Sequence, residues 1–139
     1  MIVLDTNVVS ELMRATPDRQ VVAWVAGQPA AGLFTTSITQ AEILHGIMLL
    51  PAGKRRTAIA QAAEAMFDED FDGRVLAFGS EAAQPYAQIA TARRRSGRPI
   101  AHFDAQIAAI AYAAGASVAT RNTADFDGCG VRVMNPWDG

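Results

Sequence analysis

Residue types and patterns that mark secreted and membrane proteins are rare or absent in this sequence of 139 residues. Cys129 is the only cysteine, so no disulfide can form within the chain and nothing indicates an oxidising compartment. The longest apolar segment, residues 107–119, is interrupted by Gly115 and Ser117 and is shorter than the ~18 residues that a membrane span needs. The chain opens on a strand-like apolar run, without the basic region and cleavage site of a signal peptide. We therefore expect a soluble, cytoplasmic protein that does not bind membranes.

Strong net charge and common nucleotide-binding motifs are missing as well. The net charge is -2 and the sequence pI is about 5.6, so the protein as a whole is not a polyelectrolyte binder, although local basic patches fit this total. The sequence has no HExxH, no Walker loop and no GxGxxG, which disfavours zinc proteases and the common nucleotide folds. Lys54 is the only lysine and lies between predicted helices. A receiver domain or an aspartyl-phosphate phosphatase needs a lysine beside its acids, so both classes are disfavoured.

The composition and the order of the apolar runs predict the fold class. Half of the residues are hydrophobic and 19% are charged, which favours one globular domain over residues 1–139. Ile2, Val3 and Leu4 are apolar at consecutive positions, as in a strand buried on both faces of a parallel sheet. Further strands are predicted at residues 33–36, 74–78, 117–120 and 131–134, and helices at residues 8–13, 17–26, 37–50, 54–67, 80–95 and 100–114. This alternation predicts an α/β fold with a mainly parallel central sheet between helical layers.

The helix predicted at residues 37–50 carries more apolar residues than one buried face needs. Thr39 and Glu42 match a capping box at its start, and residues 37–40 form an overlapping alternative. The helix ends before Pro51. Its apolar residues cover more than one face: Ile43, Leu44, Ile47, Met48, Leu49 and Leu50. This excess predicts a subunit or partner interface.

Four acidic residues lie at the ends of predicted buried elements. Asp5 follows the first strand, Glu42 and Asp104 open apolar helices, and Asp125 follows the fourth strand. Each has a structural alternative. Asp5 fits a helix N-cap, Glu42 fits the capping box, Asp104 is favoured by the helix dipole, and Asp125 closes a turn that begins at Asn122. Four independent caps do not explain four inward acids in one small domain, so we expect these acids to converge.

Converging carboxylates need a cation, because they raise one another's pKa when nothing neutralises them. Oxygen ligands favour Mg²⁺ or Mn²⁺, so the four acids predict one metal site. Glu42 and His45 have the Glu-x-x-His spacing of di-iron bundles, but those bundles need two copies of the motif and this chain has one. We therefore expect His45 to pack at a helix interface and His102 to be a loop residue or a support for the site.

Several motifs in this order resemble a known family. They are LDTNVVS at residues 4–10, TQAEILHG at 39–46, GRPI at 97–100 followed by Asp104 and by IAA at 107–109, and ATRNTADF at 119–126. With them the chain resembles the PIN-domain ribonucleases, specifically the VapC-type toxins of toxin–antitoxin pairs. The NPW at residues 135–137 looks like the subgroup related to the FitB toxin.

The resemblance implies a three-layer α/β/α PIN fold and endonucleolytic cleavage of RNA that depends on Mg²⁺ or Mn²⁺ and leaves 5′-phosphate and 3′-hydroxyl ends. It also implies a homodimer, inhibition by a cognate antitoxin, and higher toxin–antitoxin assemblies. Asp5, Glu42, Asp104 and Asp125 match the acidic quartet of the family. The polar positions that support the metal or water correspond to Thr6, Thr120 and Asn122, while Asn7 fits either support or helix capping. One departure is His102-Phe103 before Asp104, where small residues are commoner.

RNA that approaches an acidic pocket needs positive charge at the rim. The candidates for RNA contact are Arg93, Arg94, Arg95 and Arg98, and Arg14 and Arg121 lie closer in sequence to the motif acids. The alternative for residues 93–95 is favourable placement at the C-terminus of a helix.

Two rival functions fit the same acids. One is another Mg²⁺-dependent phosphohydrolase that acts on small phosphate esters or DNA. The other is a non-catalytic module that binds a partner, and the presence of all four acids disfavours it.

Overall fold

The computed structural model describes all residues, 1–139, and its centre is a sheet of five parallel strands in the order β3-β2-β1-β4-β5. The strands are β1 (Ile2–Leu4), β2 (Leu33–Thr36), β3 (Val75–Leu76), β4 (Ser117–Ala119) and β5 (Val133–Met134). The helices are α1 (Thr6–Leu12), α2 (Arg19–Ala26), α3 (Ser37–Met48), α4 (Lys54–Ala65), α5 (Ser80–Arg95) and α6 (His102–Ala114). This confirms the predicted α/β class and the parallel sheet.

The central strand is β1, which pairs with β2 on one side and with β4 on the other. Val3 and Leu4 have almost no exposed surface, although neighbouring side chains of a strand point to opposite faces of a sheet. Both faces of β1 are therefore covered. This explains why its apolar residues are consecutive instead of alternating.

Helices cover the two faces in separate hydrophobic cores. One core joins Val3 and Val118 to α5 and α6. The other joins Leu4 and Ala119 to the first four helices, with Val8, Val21, Ile43 and Ala63 among its members. The molecule is thus a three-layer α/β/α arrangement, and each strand residue of the central pair faces one of the two helical layers.

Helix starts follow the expected chemistry with one correction. Asp18 caps α2 by accepting hydrogen bonds from two backbone N–H groups. The cap of α3 is Thr36, whose hydroxyl accepts a hydrogen bond from the backbone N–H of Thr39 at 3.1 Å. The capping box predicted at Thr39 and Glu42 is therefore wrong, because the strand leads into the helix without a loop and puts the cap three residues earlier.

The outer strands also differ from the prediction. Only residues 75–76 and 133–134 form strand where 74–78 and 131–134 were expected, because β3 and β5 are edge strands that pair on one side alone. The acidic residues 68–70 lie in a π-helical turn, Met66–Asp70, that continues α4. None of the six helices combines the length and the apolar composition that a membrane span requires.

Candidate active site

The functional side chains meet where the central strands end. Asp5 follows β1, Thr120 follows β4, and Thr36 closes β2. The backbone N–H of Asp5 donates to the carbonyl of Ala119 at 2.9 Å, which holds the ends of β1 and β4 side by side. In parallel α/β sheets the carboxyl ends of the strands share one edge, and ligands bind there.

Asp5 is both a helix cap and a buried acid. Its side chain is 5% exposed, and Oδ1 accepts a hydrogen bond from the backbone N–H of Thr6 at 2.8 Å. Oδ2 accepts one from the hydroxyl of Thr120 at 2.8 Å and a longer one from Nδ2 of Asn7 at 3.4 Å. Burial raises the pKa of Asp5, the bonds from Thr120 and Thr6 lower it, and the charges of Glu42 and Asp125 raise it further.

Thr120 has its single hydroxyl proton committed to Asp5. Its oxygen also accepts hydrogen bonds from the backbone N–H of Asn122 at 3.1 Å and from Nδ2 of Asn7 at 3.2 Å. Because these two groups are donors, the Thr120 hydroxyl donates to Asp5 and nowhere else. Asn7 completes the arrangement by accepting from the backbone N–H of Arg121 at 3.2 Å. All four residues predicted to support the site, Thr6, Asn7, Thr120 and Asn122, are therefore placed around Asp5.

Glu42 is oriented by a pair of threonine hydroxyls. Thr6 donates from Oγ1 to Oε1 of Glu42 at 2.8 Å, and Oγ1 of Thr39 lies 3.0 Å from Oγ1 of Thr6. Since the one proton of Thr6 goes to the carboxylate, Thr39 is the donor in the second bond. Thr39 is fully buried. It is a support of the site that the sequence reading had assigned to a cap.

Asp104 lies on the first turn of α6 and is half-buried among the other acids. Its pKa is raised to about 6, first by burial and then by repulsion from Asp5, Asp125 and Glu42, with a smaller opposing effect of Arg93. No hydrogen bond within the chain reaches its carboxylate, unlike those of Asp5 and Glu42. The four predicted acids are thus close enough to act on one another electrostatically.

A polar cavity of about 520 Å³ collects three of the four acids. Asp5, Glu42 and Asp104 line it, together with Thr6, Asn7, Ser10, Glu11, Arg14, Arg121, Asn122 and Trp137. Asp125 does not line the cavity. It is exposed in the 3₁₀ turn Thr123–Phe126, and its influence on the site is through its charge.

Sequence reasoning missed part of one wall of this cavity. One face of α1, continued by the turn after it, extends from the Asp5 network toward solvent. It carries Asn7, Ser10, Glu11 and Arg14 at spacings of three and four residues. Glu11 is buried and accepts from the backbone N–H of Asp18 at 2.9 Å and from Arg14 at 3.2 Å. The helical spacing from Asn7 was the signal that could have identified Ser10 and Glu11.

A family model described as PIN domain matches residues 2–128. The chain belongs to the PIN-domain family. The VapC ribonuclease Y4jK of Sinorhizobium fredii is 44% identical to this PIN domain over 138 residues, covering 99% of each chain. Toxin FitB of Neisseria gonorrhoeae is 39% identical over 137 residues, again with 99% of each chain covered. The crystal structure of FitAcB from the same organism matches this PIN domain with a TM-score of 0.92 and covers 99% of both chains.

Arg93 of this PIN domain is not available to RNA, contrary to its place among the predicted contacts. It is 7% exposed. Its Nη1 donates to the carbonyls of Asp125 at 2.7 Å and Asp127 at 3.1 Å, and its Nε donates to the carbonyl of Arg98 at 2.8 Å. These hydrogen bonds tie the guanidinium to the turn that carries Asp125.

The other arginines predicted to contact RNA lie on the surface, and so do both histidines. Arg94 and Arg95 are exposed in the last turn of α5, and Arg98 pairs with Asp127 at 3.1 Å. His45 is exposed, so the prediction that it packs at a helix interface is wrong. His102 is exposed at the first position of α6, where Nδ1 lies 2.9 Å from the hydroxyl of Tyr86, and it does not line the cavity.

The donors of the cavity fit a hydrated divalent cation. The cavity offers carboxylate and hydroxyl oxygens, which are the ligands that Mg²⁺ prefers. A bound cation would also offset the repulsion of Asp104 by the other acids. No three Asp, Glu, His or Cys side chains are close enough to hold one ion among themselves. Mg²⁺ keeps several of its waters when it binds to proteins, so bound water fits the spaces between these carboxylates.

Proposed function

We propose that this PIN domain is a divalent-metal-dependent endoribonuclease that acts as the toxin of a toxin–antitoxin pair. The observation that carries the proposal is the convergence of Asp5, Glu42 and Asp104 on one polar cavity at the carboxyl edge of the sheet. The 44% identity to a VapC ribonuclease over the whole chain supports RNA as the substrate class. The relative FitB, named a toxin, supports the biological role.

Asp5, Glu42 and Asp104 would hold Mg²⁺ or Mn²⁺, directly or through water, with Asp125 adding negative charge from outside the cavity. When bound, such an ion activates a water molecule, neutralises phosphoryl oxygens and stabilises the leaving oxygen. Asp5 is the best fixed of the carboxylates, since both of its oxygens accept hydrogen bonds from the chain. Glu42 keeps Oε2 free of internal hydrogen bonds while the Thr6 hydroxyl fixes Oε1.

The carboxylates must stay ionised to bind a cation, and hydrogen bonds favour that state for Asp5 against the opposing effect of burial. The Thr120 hydroxyl and the Thr6 backbone N–H both donate to Asp5, and hydrogen bonds to the charged form lower a carboxyl pKa. The Thr39 hydroxyl donates to the Thr6 hydroxyl, which donates to Oε1 of Glu42 and fixes its orientation. In-line attack of water on the phosphodiester would leave a 5′-phosphate and a 3′-hydroxyl.

The partners we propose are RNA, a cognate antitoxin and a second copy of this chain. Leu44, Met48 and Leu49 on α3 and the residue after it are 40%, 67% and 73% exposed, an apolar surface that fits a protein interface. A homodimer or a larger toxin–antitoxin assembly would cover such residues.

The deciding experiment incubates the purified protein with a mixed-sequence RNA in Mg²⁺, in Mn²⁺ and in EDTA, and sequences new 5′-phosphate ends. We expect cleavage in either metal, none in EDTA, and none with Asp104→Asn in either metal. Asp72→Asn, an exposed acid in the loop before β3, is the control with the same change of charge. Full activity of folded Asp104→Asn contradicts the assignment of the site.

Two further arms separate the rival functions. Hydrolysis of a generic phosphate ester or of DNA, without cleavage of RNA, indicates another metal-dependent phosphohydrolase. Binding of RNA or of a partner protein without any cleavage indicates a non-catalytic module. Inducible expression of wild type and Asp104→Asn tests the toxin role, with growth arrest expected for the wild type alone.

A further inference from the structure

The cavity of acids has two cations on its wall, and they differ in what they are bound to. Arg14 is paired with Glu11 through both carboxylate oxygens, at 3.3 and 3.2 Å. The guanidinium of Arg121 makes no hydrogen bond and no ion pair within the chain, although Asp5, Glu42 and Asp104 line the same cavity. Arg121 is therefore the cation on the wall whose five N–H donors are free.

Arg121 is held in place by an aromatic ring. The centre of its guanidinium lies 5.0 Å from the centroid of the Trp137 ring, within the range of a cation–π interaction. Trp137 is itself anchored. Its ring packs against the core that contains Leu4 and Ala119, and its backbone N–H donates to Oδ1 of Asn135 at 2.9 Å.

The backbone of Arg121 is tied to the acidic network as well. Its N–H donates to Oδ1 of Asn7 at 3.2 Å, and the preceding residue, Thr120, donates to Asp5. The side chain thus begins beside the buried acids and ends on the Trp137 ring, while its position is exposed to solvent. An arginine that is stacked on a ring keeps its N–H edges free for an anion and loses little conformational freedom on binding it.

We propose that Arg121 binds a phosphodiester group of the RNA next to the acidic cavity, and that Trp137 is the positioning residue that holds the guanidinium there. The inference deepens the proposed function and rests on it. A phosphate fits because the planar guanidinium can donate two parallel hydrogen bonds to it. The contact is made with the backbone of the RNA, so it is independent of base sequence.

The test measures binding of a mixed-sequence single-stranded RNA by Asp104→Asn protein in Mg²⁺, which under the proposed function does not cut the RNA. The variants Arg121→Gln, Arg121→Lys and Trp137→Phe are made in that background. The matched control is Arg132→Gln, which removes an equal charge from an exposed arginine. Arg132 directly precedes β5, at the amino ends of the strands, whereas the cavity lies at their carboxyl ends.

Affinity is measured across a salt series. Loss of one phosphate contact to single-stranded RNA reduces the slope of log K against log[salt] by about 0.7. We expect this reduction for Arg121→Gln, with binding weakened about fivefold to tenfold at low salt. Arg121→Lys and Trp137→Phe keep the charge, so we expect a slope like that of the parent and a smaller loss of affinity.

A fluorescence measurement tests the role of Trp137 directly. The chain has two tryptophans, so Trp24→Phe leaves Trp137 as the only one. We expect the emission of Trp137 to change when RNA is added, and to change much less in Arg121→Gln. An emission that does not respond to bound RNA contradicts the positioning role.

The outcomes separate the two proposals. If wild type cleaves RNA and Arg121→Gln has the affinity and salt slope of Arg132→Gln, this inference is overturned and the proposed function stands. The inference is also overturned if Arg121→Gln weakens only the complex with a partner protein. If wild type neither binds nor cleaves RNA, both proposals fall.

Discussion

Replacing Asp104 by asparagine should make the metal-free protein more stable at neutral pH, although it removes a residue of the site. The folded-state pKa of Asp104 is about 6, above its ordinary value of 3.8. The folded protein therefore binds the proton more tightly than the unfolded chain, and the wild type loses stability as pH rises from 3.8 to about 6. Asparagine resembles the protonated acid and avoids this loss.

The size of the effect follows from the shift. About two pKa units correspond to roughly 3 kcal/mol if the whole shift is expressed in stability. Asp104 is half-buried, so solvent screening reduces the expected gain to about 1–1.5 kcal/mol. For a chain of this length that is a rise in Tm of roughly 3–5 °C.

Urea unfolding in EDTA at pH 4.5 and pH 7.5 measures this effect for wild type, Asp104→Asn and the control Asp72→Asn. The gain of Asp104→Asn should be clear at pH 7.5 and much smaller at pH 4.5. Mg²⁺ at ten times its Kd should then stabilise the wild type by about 1.4 kcal/mol and Asp104→Asn by less. A gain that is absent at pH 7.5, or equal at both pH values, refutes the reasoning.

Three other substitutions test the hydrogen bonds of the site. Asp5→Asn should abolish cleavage and, by urea unfolding at pH 7.5, be about 1–2 kcal/mol less stable than Asp104→Asn. In either orientation of the asparagine amide, its NH₂ group faces a donor, the Thr6 backbone N–H or the Thr120 hydroxyl. Equal stability of the two variants contradicts the assignment of Thr120 as a donor. Thr39→Val removes the hydroxyl that donates to Thr6 and should lower kcat about tenfold while the circular dichroism spectrum stays unchanged. Thr39→Ser keeps the hydroxyl and should retain activity. Unchanged kcat in Thr39→Val would show that this hydroxyl does not orient Glu42. Arg93→Ala removes the hydrogen bonds to three partly buried carbonyls and should cost about 2–4 kcal/mol in thermal or urea unfolding, against less than about 0.5 kcal/mol for exposed Arg94→Ala. A loss below about 1 kcal/mol for Arg93→Ala means that its contacts are not structural.

Much of the fold could be read from local pattern. The helix at residues 80–95 was predicted with the bounds that the structure shows, because Gly79 and Gly97 flank a long regular segment. The buried central strand was recognised because its apolar residues are consecutive. The edge strands were predicted too long, because their length depends on pairing with one neighbouring strand. The sequence of one strand does not show which strand it pairs with.

The site was predictable in its acids and less so in its supports. Asp5, Glu42 and Asp104 stood out because each ends or begins a buried element, and they share one cavity. Thr39 was misread because a capping box explained it locally, while its real contact is 33 residues away in the chain. Arg93 was grouped with Arg94 and Arg95 because the local sequence does not distinguish three consecutive arginines. Arg93 differs from them in its hydrogen bonds to carbonyls that are distant in the chain.

The order in which the chain is synthesised has a consequence for when the cavity can exist. The central strand is made first, but Thr35, which donates to the carbonyl of Leu4, comes 31 residues later, and Thr120, which donates to Asp5, comes 115 residues later. A nascent or truncated chain that ends before Thr120 contains three of the acids and lacks the hydroxyl that donates to Asp5. We expect such a fragment to lack the fixed position of Asp5 in the cavity, which the chain acquires only when Thr120 is present.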